Sequence, residues 1–311
     1  MISNELISIL RCPECMKNIS VLNTDLFCTN CKKSFSFEGG VLNLLPKNIE
    51  ENKQNEDKLH LCKNCDVYKY NDYPYRFFVD LSHSVKRFER DLVPKIKGEK
   101  ILELAAGNSW ASCILKSFYP ESLIVASDIS PNALRIKGLK FAKTVGAKPD
   151  IFLACDAERI PFADESLDRV FMIASLHHMV SPEKVIKQAW RVLKPGGKFI
   201  AIDYQLPKWA QLLVSTKGKG REKYGIIERQ FTIGDLKKIG KNSKISSFRI
   251  KPDFNPYNTI VFPKNENEDR MCRYYPFYLF VYALFFNKSP ERIKNILQWI
   301  FPTSVNIDFT K

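Results

Sequence analysis

Continuous runs of apolar residues recur through the middle of the chain, and segments with helical spacing separate them. Five runs indicate strands, at residues 101–104, 123–126, 151–154, 167–173 and 198–203. Amphipathic segments lie between them, at residues 110–118, from Pro131 onward and at 182–193. Strands without polar alternation are typical of parallel sheets that helices cover on both faces. The pattern therefore predicts an α/β fold with a doubly wound, mostly parallel sheet.

The first predicted strand–turn–helix–strand unit, residues 101–128, contains the clearest binding signal. A turn of small residues, 105–109, follows the first strand, and Asp128 closes the second strand roughly twenty residues later. Such a unit directs backbone N–H groups and a helix N-terminus toward the mouth of the sheet. An acid that ends the second strand can bind a ribose diol. We therefore expect an adenosine-containing cofactor.

The turn favours a cofactor without a pyrophosphate. A dinucleotide fingerprint uses three glycines so that the backbone can approach the pyrophosphate, whereas Gly107 is the only glycine in this turn. Glu103, near the end of the preceding strand, would repel a phosphate and attract an ammonium group.

Two C-x-x-C pairs near the N-terminus, Cys12/Cys15 and Cys28/Cys31, predict a zinc site. Four thiolates suit a closed, tetrahedral and structural zinc site better than a catalytic one, and a module of 46 residues would draw its folding free energy from the metal. Reduced cysteines without a metal are the alternative.

Composition restricts the compartment and the partners. The nine cysteines are an odd number, and no secretory apolar segment opens the chain, so a reducing cytoplasmic location is expected. The net charge is +14, and ten of these charges lie in residues 205–311. This distribution places any anionic partner at the C-terminal third. A solvated basic surface is the alternative interpretation.

Three regions are predicted: a zinc ribbon (1–46), a linker with a helical cap (47–97), and the cofactor domain (98–311) with a basic, aromatic extension from about 205. The Cys62/Cys65 pair has no partner pair and is interpreted as incidental or redox-sensitive. The aromatic segment 68–88 either packs or caps a substrate cavity. An apolar run at 274–286 is too short to cross a bilayer, which leaves a buried helix, a lid or an interfacial helix.

Motifs that follow the later strands resemble a known enzyme family. They are D-A-x-x-x-P-F-x-D-x-S-x-D from Asp156, L-H-H from Leu176 and R-V-L-K-P-G-G from Arg191. Together with the turn after Glu103, they resemble class I S-adenosylmethionine-dependent methyltransferases of the ubiquinone/menaquinone C-methyltransferase-like group, over roughly residues 92–204. The resemblance implies cofactor contacts from Glu103, Ala105, Gly107, Asp128, Ile129, Asp156, Ala157 and Ala174.

The cysteine module has a resemblance of its own. Its strings L-R-C-P-x-C, L-x-C-x-x-C and G-G-V-L-N-L-L-P, spread over residues 10–46, resemble a family of short zinc-ribbon modules. Some members of that family are activator subunits of tRNA, rRNA and protein methyltransferases, and others are fused to a methyltransferase domain. The module is also similar to the one that begins the bacterial rRNA guanine-N1 methyltransferases.

Methyl transfer needs mainly alignment, and a base only where the acceptor must lose a proton. His177 and His178 follow the fourth strand and are the candidate bases; shaping the turn is their alternative role. The segment from Ala174 lacks both the Asn/Asp-Pro-Pro-Tyr/Phe string of exocyclic-amine methyltransferases and the cysteine of RNA cytosine-C5 enzymes. A small-molecule acceptor of the natural-product, lipid or quinone type is therefore predicted. An RNA methyltransferase and a non-catalytic cofactor-binding scaffold are the alternatives, and peripheral membrane contact is not favoured.

Overall fold

A nine-stranded, mostly parallel sheet forms the centre of the protein. The computed structural model describes residues 2–22, 25–61, 98–204, 225–227, 229, 231–253 and 304–311. The Cys62/Cys65 pair, the aromatic segment 68–88, the basic loop 208–223 and the apolar run 274–286 lie outside the described residues.

The strand order of the large sheet is β11-β12-β10-β9-β6-β7-β8-β5-β4. Its strands are β4 (Phe37–Glu38), β5 (Val41–Asn43), β6 (Lys100–Leu104), β7 (Leu123–Asp128), β8 (Ile151–Ala154), β9 (Leu167–Ile173), β10 (Leu193–Tyr204), β11 (Arg249–Asp253) and β12 (Ser304–Thr310). The pairs from β10 to β5 are parallel, while β12, β11 and β4 are antiparallel to their neighbours. The predicted fold class is confirmed.

Helices are present at the three places where the apolar spacing predicts them, at 110–118, from Pro131 onward and at 182–193. Those of the described residues are Asn4–Ile9, Glu51–Leu61, Trp110–Phe118, Leu139–Val145, Pro182–Val192 and Ile233–Ser243, with a π-helical turn at Ala133–Gly138 and 3₁₀ turns at Ala157–Arg159 and Leu176–His178. Ser181 caps the Pro182–Val192 helix by accepting from the Lys184 N–H. Ser130 Oγ accepts from the Ala133 N–H at 3.0 Å, as expected of a residue that begins a helix.

The Pro-Gly-Gly segment is an irregularity within β10. The register of β10 against β9 shifts between Leu193 and Lys198. Gly196 has a φ of +81°, a conformation that favours glycine, and its N–H donates to the Lys311 carbonyl at 2.7 Å. This irregular segment therefore bonds to Lys311, the residue that follows β12.

The cysteine module is joined to the large sheet through β5. Its own three-stranded sheet comprises β1 (Ser20–Leu22), β2 (Asp25–Cys28) and β3 (Lys33–Phe35). The next strands leave that sheet, and β5 pairs in parallel with β8. Leu10, Leu42 and Leu44 are fully buried in the same apolar cluster as Leu102 and Leu153. The module therefore extends both the sheet and the core of the larger domain.

A second connection runs from the module to the loop after β8. The Arg11 N–H donates to the Pro161 carbonyl at 2.8 Å, and the Ala163 N–H donates to the Ile9 carbonyl at 2.8 Å. The Arg159 guanidinium donates to the Glu14 carbonyl, which lies between the first two cysteines. These bonds hold the module against residues 159–163, which follow β8, the strand with which β5 of the module pairs.

Leu42→Ala should destabilise both units together. Truncating a fully buried leucine costs about 2–5 kcal/mol of unfolding free energy. All four tryptophans lie at residue 110 or later, so tryptophan fluorescence follows the larger domain. We expect its urea midpoint to fall in Leu42→Ala although the substitution lies in the module.

Phe37→Ala is the matched control, because Phe37 in the adjacent strand is 47% exposed and its truncation should cost little. A tryptophan transition that is unchanged in Leu42→Ala would show that the module and the domain unfold independently.

Candidate active site

The predicted cofactor and catalytic residues lie at the carboxyl ends of four neighbouring parallel strands, β6 to β9. These ends, the end of β10 and the loops that follow are here named the carboxyl edge. Glu103 lies on β6, Asp128 ends β7, and Asp156 follows β8. Ala174 follows β9, and the 3₁₀ turn with His177 comes next. The chain proceeds from β6 to β7 and β8 on one side and returns to β9 and β10 on the other, so the strand order reverses beside β6. Ligands of doubly wound sheets bind at such a reversal.

The loop after β6 contains one glycine but three residues with left-handed backbone conformations. Gly107 has a φ of +53°, and Ala105 and Ser109 have φ values of +51° and +56°. Non-glycine residues in this region are uncommon and concentrate at functional sites. The Gly107 N–H donates to Asp128 Oδ2 at 2.7 Å. The loop is therefore bound to the end of the neighbouring strand.

Asp128 is a buried acid held by backbone donors on both of its oxygens. It is 6% exposed, and Oδ1 accepts from the Ser130 N–H at 2.8 Å while Oδ2 accepts from Gly107. Burial raises the pKa of this carboxyl above its usual range. Ile129, the next residue, is partly exposed at the same edge. The two backbone bonds fix the orientation of the carboxylate.

Glu103 is buried beneath the loop. It is 2% exposed, and Oε2 accepts from the Ser112 N–H at 3.0 Å and from the Ser112 hydroxyl. Burial raises the pKa of the Glu103 carboxyl to about 8, and the nearby charge of Asp128 acts in the same direction. Burial therefore favours the protonated form of Glu103 in the free protein, whereas a cationic ligand group beside it would favour the carboxylate.

Asp156 lies at the far end of the row, beside the buried Ala157. Its Oδ1 accepts from the Glu158 N–H at 2.9 Å, which caps the short 3₁₀ turn. Its Oδ2 accepts from Lys53 Nζ at 2.8 Å. Lys53 is also 3.6 Å from the Glu158 carboxylate, and its side chain is only 11% exposed. A lysine from outside the cofactor domain thus contacts a predicted cofactor residue.

The Glu51–Leu61 helix lies across the loops after β7 and β8. Besides the Lys53 contact, Asp57 accepts from Ser130 Oγ at 2.6 Å and from the Asn132 side chain at 2.8 Å. Glu56 and His60 are close enough to Asp128 to change its pKa, in opposite directions. Sequence reasoning placed this helix in the predicted linker and cap and assigned no site residue to it. Only Leu59 of the helix is buried, so there was no apolar periodicity to locate it.

The two candidate bases lie side by side after β9, and Asp203 contacts one of them. Ala174, with a φ of +51°, turns the chain out of the strand. The ring centroids of His177 and His178 are 3.9 Å apart. His177 Nδ1 is 2.6 Å from Asp203 Oδ1, and its backbone N–H donates to Asp203 Oδ2 at 3.0 Å. Asp203 was not predicted as a site residue, since a single acid at a strand end gives no sequence signal for this pairing.

Four sulfur atoms form a separate cluster in the N-terminal module. The Sγ atoms of Cys12, Cys15, Cys28 and Cys31 all lie within 4.8 Å of one another. Cys15 and Cys28 are 3.6 Å apart, close to the roughly 3.8 Å between thiolates bound to one tetrahedral zinc ion. Burial raises the pKa of the Cys12 thiol to about 12, so a cation is needed to make it a thiolate at neutral pH. The donor set fits zinc.

The buried Glu103 predicts a pH-dependent stability. The folded chain holds this proton up to about pH 8, whereas the unfolded chain releases it near 4.5. Unfolding free energy is therefore lost as the pH rises between these values. Glu103→Gln lacks this loss, so its unfolding free energy relative to wild type should rise by up to about 1.4 kcal/mol per pH unit across the window. Urea unfolding from about pH 5 to about pH 9 measures the difference.

Glu121→Gln, at an exposed position, is the control and should show a nearly constant difference from wild type. If the difference in unfolding free energy between Glu103→Gln and wild type is also independent of pH, the Glu103 carboxylate is charged across the whole range and the prediction is wrong.

No helix among the described residues is long and apolar enough to cross a membrane.

Known proteins resemble the region that carries the carboxyl edge. Residues 102–201 match the family model described as a methyltransferase domain. The ubiquinone/menaquinone biosynthesis C-methyltransferase UbiE of Haemophilus ducreyi is 32% identical over 124 residues, which cover 39% of this chain and 48% of that protein. The demethylmenaquinone methyltransferase of Clavibacter sepedonicus is 34% identical over 115 residues, which cover 37% and 45%. The chain thus spans about half the length of these curated relatives.

A solved structure agrees with the fold. Haemonchus contortus phosphoethanolamine N-methyltransferase 2, in complex with S-adenosyl-L-methionine, superposes with a TM-score of 0.52 at 16% identity. The match covers 86% of this chain and 61% of that one. Residues 102–201 therefore match a methyltransferase domain, and the central sheet has the class I Rossmann-like fold of the solved methyltransferase structure.

Proposed function

We propose that the chain transfers the methyl group of S-adenosylmethionine to a small-molecule acceptor. The observation that supports this most is the row of acids Glu103, Asp128 and Asp156 along three adjacent strands of the carboxyl edge. Carboxylates suit a ligand that presents hydroxyl, amino and ammonium groups, which are the polar groups of this cofactor. They do not suit a pyrophosphate.

The order of Glu103, Asp128 and Asp156 along the sheet suggests how the cofactor would lie across it. The residues proposed to hold it are Glu103, Ala105, Gly107, Asp128, Ile129, Asp156, Ala157 and Ala174. Ribose would lie at Asp128 and adenine at Asp156, with the methionine portion over β6. Since β9 and β10 continue the sheet on the other side of β6, the acceptor would approach from the side of the histidine turn. The cofactor supplies a methyl group that is already activated, so these residues chiefly align donor and acceptor.

The relatives support a quinol-like acceptor. Their names specify C-methylation in ubiquinone and menaquinone biosynthesis and methylation of demethylmenaquinone. A ring of this type carries acidic hydroxyl groups, and His177 and His178 lie where a base for such a proton is needed.

The alternative acceptor is RNA, bound by both the cysteine module and a basic C-terminal surface. The positions of the described basic residues favour this alternative less than a small-molecule acceptor. The described lysines of the Ile233–Ser243 helix lie near an open pocket of about 320 Å³ that Lys237 and Lys241 line with Ile250 of β11. β11 and β4 are the opposite edges of the nine-stranded sheet, roughly 40 Å apart at about 4.8 Å per strand. The described basic pocket therefore lies toward the edge of the sheet opposite to β4 of the cysteine module.

A cofactor-binding scaffold without turnover is the remaining alternative. Binding of the cofactor through Asp128 and Asp156, without turnover, would satisfy this alternative. The His177–Asp203 contact favours catalysis, because a scaffold has no need of an oriented base.

We also propose that residues 1–46 are a zinc ribbon whose metal is structural. All four ligand positions would be filled by Cys12, Cys15, Cys28 and Cys31, which leaves no open position for chemistry. Residues 47–97 would be the cap and residues 98–311 the catalytic domain with its C-terminal extension.

Cys28→Ser should remove the zinc. The wild-type chain is expected to retain about one zinc ion after dialysis, measured by mass spectrometry of the metal, and Cys28→Ser to retain much less. Loss of the metal should also lower the thermal midpoint, because Cys12 and Cys28 belong to the shared apolar core.

Cys113→Ser is the matched control, since Cys113 is an equally buried thiol on the Trp110–Phe118 helix, outside the cluster. A wild-type chain that holds no zinc after expression in zinc-supplemented medium would contradict the assignment.

Asp128→Asn should weaken cofactor binding and thereby lower methyl transfer at limiting cofactor concentration. A hydrogen bond to a charged group contributes about 1.5–3 kcal/mol, so the Kd for S-adenosylhomocysteine should rise roughly 10- to 150-fold. Calorimetry measures this binding. Transfer of tritiated methyl groups to a reduced naphthoquinol, a catechol, phosphoethanolamine and bulk RNA identifies the acceptor class, and we expect the label in an extractable small molecule.

Asp164→Asn, whose carboxylate is 73% exposed, controls for loss of an acid and should bind normally. Salt-sensitive labelling of RNA alone would promote the RNA alternative. Binding of the cofactor without transfer to any acceptor would favour the scaffold, and absence of binding would overturn the proposal.

A further inference from the structure

Asp203 lies next to the last residue of β10, beside the turn that carries the two histidines. Its side chain is fully buried, and both of its oxygens accept from His177: Oδ1 from Nδ1 at 2.6 Å and Oδ2 from the backbone N–H at 3.0 Å. We propose that Asp203 is a positioning residue that orients His177, so that His177 Nε2 is the base that deprotonates the acceptor. This inference rests on the proposed methyl transfer.

The two bonds determine the tautomer of His177. A carboxylate has no proton to donate, so the short contact to Asp203 requires the proton of the ring on Nδ1. The lone pair of the neutral ring is then on Nε2. The second bond, from the backbone of the same residue, prevents the carboxylate from turning away. The ring is therefore fixed in the state in which Nε2 accepts a proton.

His178 differs from His177 in the charge of its partner. Its Nδ1 lies 2.8 Å from the carbonyl oxygen of Ile227, which also places the proton on Nδ1. A carbonyl is neutral, however, and stabilises an imidazolium less than a carboxylate does. The two rings are only 3.9 Å apart, so two positive charges there would repel each other. Asp203 thus decides that His177 is the ring that takes the proton.

Charged and titratable groups on the surrounding elements are consistent with this assignment. They include Asp203 from β10, His178 in the same turn and Arg229 from the segment packed on it. The Arg229 N–H donates to the His177 carbonyl at 3.0 Å, while its guanidinium donates to the carbonyls of Met179 and Val180. The guanidinium is thus bound to backbone oxygens of the following turn.

The pair restricts the acceptor to molecules whose nucleophile carries an acidic proton. We assign it to a hydroxyl on an aromatic or enolic ring. The proton of that hydroxyl goes to His177 Nε2, and the ring oxygen or its conjugated carbon forms the bond to the methyl carbon. The carbon–sulfur bond of the cofactor breaks, and its electron pair stays on sulfur. The imidazolium, paired with Asp203, later releases the proton to water. A thioether or a tertiary amine would need no such base.

Nuclear magnetic resonance of the histidine ring nitrogens tests the pair without any acceptor. The chain has four histidines, so ¹⁵N-histidine labelling gives four ring systems, and single His177→Gln and His178→Gln variants assign two of them. We expect His177 to carry its proton on Nδ1 in the wild-type protein. In Asp203→Asn the amide can donate to Nδ1, so the proton should move to Nε2. The same exchange in Ser-His-Asp triads lowers turnover about 10⁴-fold.

In Asp203→Asn the change of the His177 tautomer should lower turnover, while the affinity for the cofactor product stays the same. In Asp203→Asn we expect turnover of the reduced naphthoquinol, or of the panel acceptor that the wild type methylates, to fall by roughly 10²–10⁴-fold, with the Kd for S-adenosylhomocysteine within about twofold of wild type. In wild type we expect the rate to rise with pH as the base loses its proton, and in Asp203→Asn this rise should be absent from the remaining activity. Asp308→Asn, in the neighbouring strand β12 and paired with Arg249, is the control.

A wild-type His177 that carries its proton on Nε2 would overturn the inference even if Asp203→Asn does not fold. So would an Asp203→Asn protein that folds and retains wild-type turnover. Either result with normal cofactor binding leaves the proposed function standing, whereas loss of binding in the wild type would reject that function itself.

Discussion

Buried carboxylates must find hydrogen-bond donors, and this requirement shapes the whole carboxyl edge of the sheet. Glu103 accepts from the backbone of Ser112, Asp128 from Gly107, and Asp203 from His177. Asp156 does the same with Glu158. Each acid therefore fixes a loop or helix start against the strand beside it. The groups that suit a cofactor or an acceptor are the same groups that hold the loops in place.

The two sides of the carboxyl edge are built differently. On the side of β7 and β8, polar contacts from the Glu51–Leu61 helix and backbone bonds from the cysteine module converge on the loops that carry Asp128 and Asp156. The module is joined to β8 by strand pairing as well. On the side of β9 and β10, Asp203 and the segment with Ile227 and Arg229 surround the histidine turn. The residues proposed for adenosine binding and for proton transfer are thus held by contacts from different parts of the chain.

This division explains how one domain can combine rigid binding with a specific base. Parallel strands deliver side chains to one edge at fixed intervals of about 4.8 Å, so neighbouring strands define neighbouring subsites. Most of the proposed cofactor residues lie at the ends of β6 to β8, and the proposed base follows β9, the strand next to β6 on the acceptor side. Because methyl transfer depends mainly on alignment, this spacing would be the main catalytic contribution of the sheet in the proposed reaction.

Local patterns in the sequence determined the parallel sheet, the acids at its strand ends and the four-cysteine cluster. Buried parallel strands must be apolar throughout, and C-x-x-C pairs bring thiolates together within one turn. Both features can therefore be recognised from a few consecutive residues. Only the tertiary structure decided the pairing of β5 with β8, the position of the Glu51–Leu61 helix and the contact between His177 and Asp203. The helix is held by ion pairs and polar hydrogen bonds and has no apolar stripe to reveal it. His177 and Asp203 are 26 residues apart and meet because β9 and β10 are neighbours in the sheet, a relation that depends on strand order and not on local sequence.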